Sequence, residues 1–174
     1  FTNLKPEMLR SLEIGTDWKF LDGRVGLDLT YYNINSQDQF ITLSAPSGSG
    51  YTFYYINAGE IVNKGIEVTL NAEPIKSDKF GWNTSVNFSK NKNEIVELVP
   101  EFADKKIEYG SSEGYTTYVI AGGSFGDLYG YKFKRNDSGQ IMLDATSGRP
   151  LKTAEREYLG NLEPDFSFGW NNSF

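Results

Sequence analysis

Residues Ser11 to Asn33 read SLEIGTDWKFLDGRVGLDLTYYN, and their character switches at every second position. Leu12, Ile14, Thr16, Trp18 and Phe20 fall on one face, with Ser11, Glu13, Gly15, Asp17 and Lys19 on the other. After the tight Leu21-Asp22-Gly23 link the pattern resumes, Val25, Leu27, Leu29 and Tyr31 alternating with Gly26, Asp28, Thr30 and Tyr32. Successive side chains of a strand point to opposite faces, so a period of two means strands, and Asp-Gly between two such runs signals a hairpin.

Three more stretches share the pattern. Ile66, Val68 and Leu70 alternate with Gly65, Glu67, Thr69 and Asn71; Trp82, Thr84, Val86 and Phe88 with Gly81, Asn83, Ser85, Asn87 and Ser89; Phe166, Phe168 and Trp170 with Ser167, Gly169 and Asn171. The alternation predicts strands over about 8–20, 24–35, 57–73, 81–92 and 165–174, joined by links that are alternately short and very long, the long ones covering about 36–56 and 93–164. Trp18, Phe20, Phe80 and Trp82 flank the two short links, where an interfacial aromatic girdle belongs. The second face is Gly, Ser, Asn, Thr and Asp with few long charges, which suits a water-filled lumen. The expected fold is therefore all-β: a segment of an antiparallel transmembrane β-barrel with short periplasmic turns and long extracellular loops, its five strands running down, up, down, up, down. A soluble β-sandwich also alternates, but its solvent face recruits more Lys and Glu and its links are not so strictly short and long.

Composition narrows the chemistry. No run approaches the roughly 18 apolar residues of a spanning helix, which leaves strand-based crossing open. The net charge of −6 argues against nucleic acid, whose binding needs clustered Lys and Arg. Neither His nor Cys occurs, so Ser-His-Asp and Cys-His catalysis, disulfides and Cys-type zinc sites are excluded. The chain opens FTNLKPEM with no basic or apolar leader, as a mature protein or an internal piece would.

Within the long links several motifs call for bland readings. DLYGYKFKRNDSGQIML (127–143) predicts an extra hairpin, with Tyr129, Tyr131 and Phe133 leading into an Asn136-Asp137-Ser138-Gly139 turn and Ile141 and Leu143 returning. EIVELVPEFADK (94–105) allows a helical turn broken at Pro100. RNDSGQIMLD (135–144) has only Asn136, Asp137 and Asp144 placed as calcium-loop ligands, so a plain turn is expected there. AGGSFGDLYG (121–130) lacks the following helix a phosphate cradle needs and reads as flexible loop glycine. The loop aromatics Tyr51, Tyr54, Tyr55, Tyr115 and Tyr118, with Phe53, are candidate ligand platforms, because an aromatic ring offers a flat apolar face and Tyr a polar tip; packing between loops is the competing use. Glu13, Asp17, Asp28 and Glu67 fall on the lumen side as wall electrostatics. No catalytic residue, cofactor or metal ligand is assigned.

The ordered blocks NLKPE (Asn3–Glu7), SLEIGTDWKFLDGRVGLDLTYYN, NAGEIVNKGIEVTL (Asn57–Leu70), WNTSVNFSKNKNEIVEL (Trp82–Leu98), SFGDLYGYKF (Ser124–Phe133) and LGNLEPDFSFGWNNSF (Leu159–Phe174) resemble the late barrel of SusC/RagA-type TonB-dependent transporters of Bacteroidota. The resemblance implies a Gram-negative outer-membrane location and a parent barrel of about 22 strands with a plug domain, of which residues 1–174 would hold neither plug nor enough strands to close. It further implies energy from TonB through that plug, a SusD-like lipoprotein partner, surrounding outer-membrane lipid, and an oligosaccharide or peptide ligand, with no enzymatic role. One departure stands out: where many relatives carry an Asp/Asn/Gly-rich calcium-like stretch, this chain reads DATSGRPLKTAEREYLGN (144–161), so no metal is expected. The competing function is a secreted or surface β-rich glycan-binding domain using the loop tyrosines; a carboxylate enzyme comes third.

Overall fold

The computed structural model describes residues 4–45, 48–57, 59–98 and 100–174. In chain order its strands are β1 (Met8–Phe20), β2 (Val25–Gln37), β3 (Phe40–Ser44), β4 (Phe53–Asn57), β5 (Glu60–Lys76), β6 (Gly81–Glu97), β7 (Ile107–Ser112), β8 (Tyr115–Val119), β9 (Asp127–Gly130), β10 (Glu157–Asn161) and β11 (Ser167–Ser173). The one helical element among the described residues is a 3₁₀ turn, Pro100–Phe102, so no described helix is long and apolar enough to cross a membrane.

Five strands build the wall, an antiparallel sheet in the order β1-β2-β5-β6-β11. Register turns the sequence alternation into continuous rows. Trp18 pairs with Leu27, Leu27 with Leu70, Leu70 with Val86 and Val86 with Trp170; one step along, Thr16, Leu29, Val68, Phe88 and Phe168 form a second row. These rows stay open to the surroundings: Phe168 is 61% and Trp170 63% exposed, so no second sheet packs behind them among the described residues. Polar atoms on this apolar face are covered by indoles, Trp170 Nε1 donating to Thr84 Oγ1 at 2.9 Å and Trp82 Nε1 to Asn172 Oδ1 at 3.0 Å. Phe174 stacks on Phe80 and Trp82, and Trp18 meets Phe20 edge-on, so the short-turn end is lined with aromatic rings.

The β1–β2 hairpin turns through Leu21, Asp22 and Gly23, all at positive φ, with Gly23 N–H donating to Phe20 O at 3.2 Å and Arg24 N–H to Leu21 O at 3.1 Å. Arg24 then reaches across to the carbonyls of Glu73 and Pro74, tying this turn to the neighbouring strand β5.

The buried core lies at the other end. Ile41, Ile61, Ile95, Leu98, Ile107 and Val119 form it, with Tyr54, Ile56, Phe102 and Phe125 packed around. Ile61 and Ile95 are directly paired and share the polar face with Asn63, Gly65 and Glu67 by alternation. The β3–β4 hairpin and the four-stranded sheet β10-β9-β8-β7 therefore roof the polar face at the long-loop end. Ile61 (1%), Ile95 (0%) and Val119 (0%) are fully buried, each worth about 1.5–3 kcal/mol of transfer free energy. Strand β6 changes partner on the way: β11 covers its edge only from Asn83 to Ser89, and beyond it Ile95 exchanges backbone hydrogen bonds with Gly122 and Gly123 at 2.7 and 2.8 Å.

Several expectations need correction. The third wall strand begins at Glu60 rather than near 57, because Phe53–Asn57 pairs with Phe40–Ser44 as its own hairpin. The segment 93–164 holds more than the one hairpin and helical turn expected in it: β6 runs to Glu97, four further strands follow, and the last wall strand starts at Ser167. The helical turn is not broken at Pro100 but begins there, since proline suits a first helical position where its missing N–H is not needed. The 127–143 hairpin is divided. Its turn exists, with Gly139 N–H on Asn136 O at 2.8 Å, but Tyr129 belongs to the roof sheet between Thr116 and Tyr158. Three of the glycines of 121–130 are close-packing positions rather than flexible ones: a Cβ on Gly126 would strike the Asn161 side chain, one on Gly123 would come within 2.9 Å of Asp127 Oδ2 and one on Gly130 within 2.7 Å of Gly114 O, whereas Gly122 serves a positive-φ turn in open space.

Candidate functional site

The polar wall face and its roof together form the surface a ligand would meet. Its rows follow from the same register: Gly15, Thr30, Glu67, Ser89 and Ser167; Asp17, Asp28, Thr69, Asn87 and Gly169; Lys19, Gly26, Asn71, Ser85 and Asn171. Lys19 and, past the bulge in β5, Lys76 opposite Gly81 are the cations on this face of the described wall strands, against the carboxylates Glu13, Asp17, Asp28 and Glu67. Asp17 and Asp28 stand directly opposite each other, a repulsive placement eased by Lys19 Nζ 3.9 Å from Asp17 and by Thr30 Oγ1 donating to Asp28 at 3.5 Å. Such a pair is tolerable on a wet surface and costly in a dry one.

Toward the roof the face is organised by amides. Tyr32 on β2 lies across Gly65 on β5, which has no side chain to obstruct it, and its Oη donates to Asn91 Oδ1 on β6 at 3.1 Å. Asn91 and Asn93 both donate to Asn63 Oδ1, at 3.4 and 3.0 Å. Asn93 Oδ1 in turn accepts from Ser124 Oγ at 3.1 Å and from the Phe125 N–H at 3.0 Å. Asp127 closes the network, accepting from Ser124 N–H at 2.9 Å and from Asn161 Nδ2 at 2.8 Å. A continuous hydrogen-bonded ladder thus runs from the wall into the roof. No group of three potential metal-ligating side chains converges among the described residues.

A family profile described as TonB dependent receptor-like, beta-barrel matches residues 1–140. The chain belongs to this family. TonB-dependent receptor P3 of Formosa agariphila is 32% identical over 193 residues, an alignment covering 98% of this chain and 19% of the relative. TonB-dependent receptor SusC of Bacteroides thetaiotaomicron is 30% identical over 145 residues, 79% of this chain and 14% of that protein. The solved structure of the RagAB peptide transporter shares the fold, with a TM-score of 0.69 at 19% identity over 94% of this chain and 19% of the other. This TonB-dependent receptor segment accordingly spans under a fifth of either curated relative. The SusC-like resemblance and the antiparallel all-β architecture agree with these matches. Members of the family are outer-membrane proteins of Gram-negative bacteria that act as transporters rather than enzymes.

In the receptor segment the candidate tyrosines fall into separate groups. Tyr51 (73% exposed), Phe53 and Tyr55 point outward from the β3–β4 hairpin, while Tyr54 packs on the core. Tyr115 and Tyr118 belong to β8 in the roof sheet. Tyr118 sits edge-on to Tyr129, which sits edge-on to Tyr158, and it accepts a hydrogen bond from Arg156 Nη1 at 3.2 Å. That bond, with Tyr131 beneath the guanidinium, raises the Arg156 pKa further. Burial, reinforced by Asp127, pushes the Tyr129 phenol up. The sequence reading missed the Tyr32–Asn91–Asn63–Asn93–Ser124 ladder. Its only local trace is a tyrosine and a glycine on neighbouring predicted strands, and register alone shows that they face each other.

Proposed function

We propose that this chain is a wall-and-loop segment of an outer-membrane TonB-dependent importer. Its apolar rows face lipid, its polar rows line the lumen, its short turns lie in the periplasm and its roofed loops lie outside. The observation that carries this reading is the register, which joins the alternation of five separate strands into one apolar and one polar surface. The parent protein would take up an oligosaccharide or peptide beneath a SusD-like lipoprotein, energised by TonB, as the likeness to SusC and to the RagAB peptide transporter suggests. The lumen face favours neutral or cationic cargo over anionic cargo, because it offers amides, hydroxyls and carboxylates with only Lys19 and Lys76 against them. Exposed Tyr51 and Tyr55 are the loop rings best placed to meet such a ligand.

The test is a topology scan of the full-length receptor in bilayer nanodiscs. This segment has no cysteine, so single cysteines report cleanly within it. Cysteines replacing Leu27, Val68 and Val86 should react only with a lipid-phase probe, and those replacing Asp28, Thr69 and Asn87 only with a water-soluble maleimide. Water access at both sets, or the reverse pattern, overturns the wall assignment. For cargo, uptake of a neutral oligosaccharide or a peptide should stop when TonB is deleted; uptake that persists removes the importer reading.

A further inference from the structure

The two borders of the apolar face differ in chemistry. At the short-turn end the face closes with Trp18, Phe20, Trp82 and Trp170. At the long-loop end it gives way to cations: on β1 Leu12 is followed on the same face by Arg10, on β5 Ile66 by Lys64, and on β6 Phe88 by Lys90 and Lys92. Lys64 stands directly opposite Lys92, with Lys90 on the adjacent diagonal, so three ammonium groups share a span of about 5–8 Å between Cβ atoms. Like charges directly opposite each other destabilise a sheet. Lys92 has a partner in Glu94 at 2.8 Å, but among the described residues neither Lys64 nor Lys90 has a carboxylate within 4.0 Å. All three lysines are exposed. The segment as a whole carries a net charge of −6, so this local excess of positive charge is set against the general trend.

We infer that this border is a binding site for a phosphorylated, polyacylated glycolipid of the outer leaflet. Its acyl chains would lie on Ile66, Val68 and Phe88, and its phosphate would sit among Lys64, Lys90 and Lys92. The inference rests on the wall reading above, which places the long-loop end in the outer leaflet. Lysines one step beyond an apolar band extend their ammonium groups to headgroup level, where anionic lipid neutralises them. A phosphate there relieves the Lys64–Lys92 repulsion, which Glu94, one carboxylate beside three lysines, offsets only in part.

The experiment uses the full-length receptor, delipidated in detergent, with bisphosphorylated lipid A as the probe and native mass spectrometry as the readout. Wild type should retain lipid A. The K64Q/K90Q/K92Q variant should bind it about 10-fold more weakly or worse, and K64R/K90R/K92R should bind like wild type. Enzymatically dephosphorylated lipid A should bind the unmodified receptor as weakly as the glutamine variant binds the intact lipid, a comparison that needs no variant to fold. Equal retention by the glutamine variant, equal binding of dephosphorylated lipid A, or equal binding of phosphatidylglycerol overturns the inference. The cysteine at Val68 separates the two failures: lipid-phase reaction there without a lysine effect sinks the lipid site alone, and no lipid-phase reaction sinks the wall reading with it.

Discussion

Gly65 shows how one missing side chain organises a face. A Cβ at this position would overlap the Tyr32 ring, so Gly65→Ala must push the ring aside and break the Tyr32–Asn91 hydrogen bond. The expected cost is about 1–3 kcal/mol, read as a lower unfolding midpoint of the refolded receptor in detergent, and it should shrink when Tyr32 is also replaced by Ala. Asp144 is a second residue with a defined role. Its Oδ1 accepts from the Ser147 N–H at 2.7 Å, from Ser147 Oγ at 2.8 Å and from the Thr146 N–H at 3.2 Å, and these bonds hold its pKa below the usual carboxylate value. A lowered folded-state pKa means the stabilisation is present above the ordinary pKa of about 3.9 and is lost as pH falls through the folded value. Pulse hydrogen exchange on residues 144–150 should show protection at about pH 5.5 and its loss near pH 2.5, and Asp144→Asn should abolish that pH dependence.

Among the elements, the β1–β2 hairpin carries an avoidable cost. Leu21 sits at φ 55°, a left-handed conformation that L-residues other than Asn, Asp and Gly adopt at a penalty of roughly 1–2 kcal/mol. Leu21→Asn should therefore raise the stability of the refolded barrel by about 1 kcal/mol, checked by urea titration in detergent; no change or a loss would mean that contact of Leu21 with its surroundings outweighs the strain. The long connection shows the limit of reading elements from sequence. Wall strands announce themselves by alternation over seven or more residues, as in β1 with 13 and β6 with 17. The roof strands β7 to β10 have only 4 to 6 residues each, too short for a period to emerge, and are held by Ile107, Val119 and the Tyr118–Tyr129–Tyr158 cluster. The last of them, β10, reaches back across residues 131–156 to pair with β9, Glu157 with Gly130 and Asn161 with Asp127.

On the scale of the whole molecule, both outer edges of the wall sheet, on β1 and β11, lack a strand partner among the described residues, and its apolar face stands exposed. Expressed by itself in plain buffer, this 174-residue segment should sediment as aggregates and become dispersed only in detergent; a soluble monomer with cooperative unfolding would contradict the barrel-wall account. By itself the sequence determined the wall: which stretches are strands, which face of each is apolar, where the hairpin turns and which family the chain resembles. These are legible because a strand's period and a turn's chemistry are local properties. Only the tertiary structure decided the register that lays Tyr32 over Gly65 and sets Lys64 against Lys92, and the folding of residues 93–164 into a roof over the polar face. The physical reason is that both depend on which residues meet across the chain, and a one-residue slip in pairing, invisible in any single strand, would send every side chain to the other face.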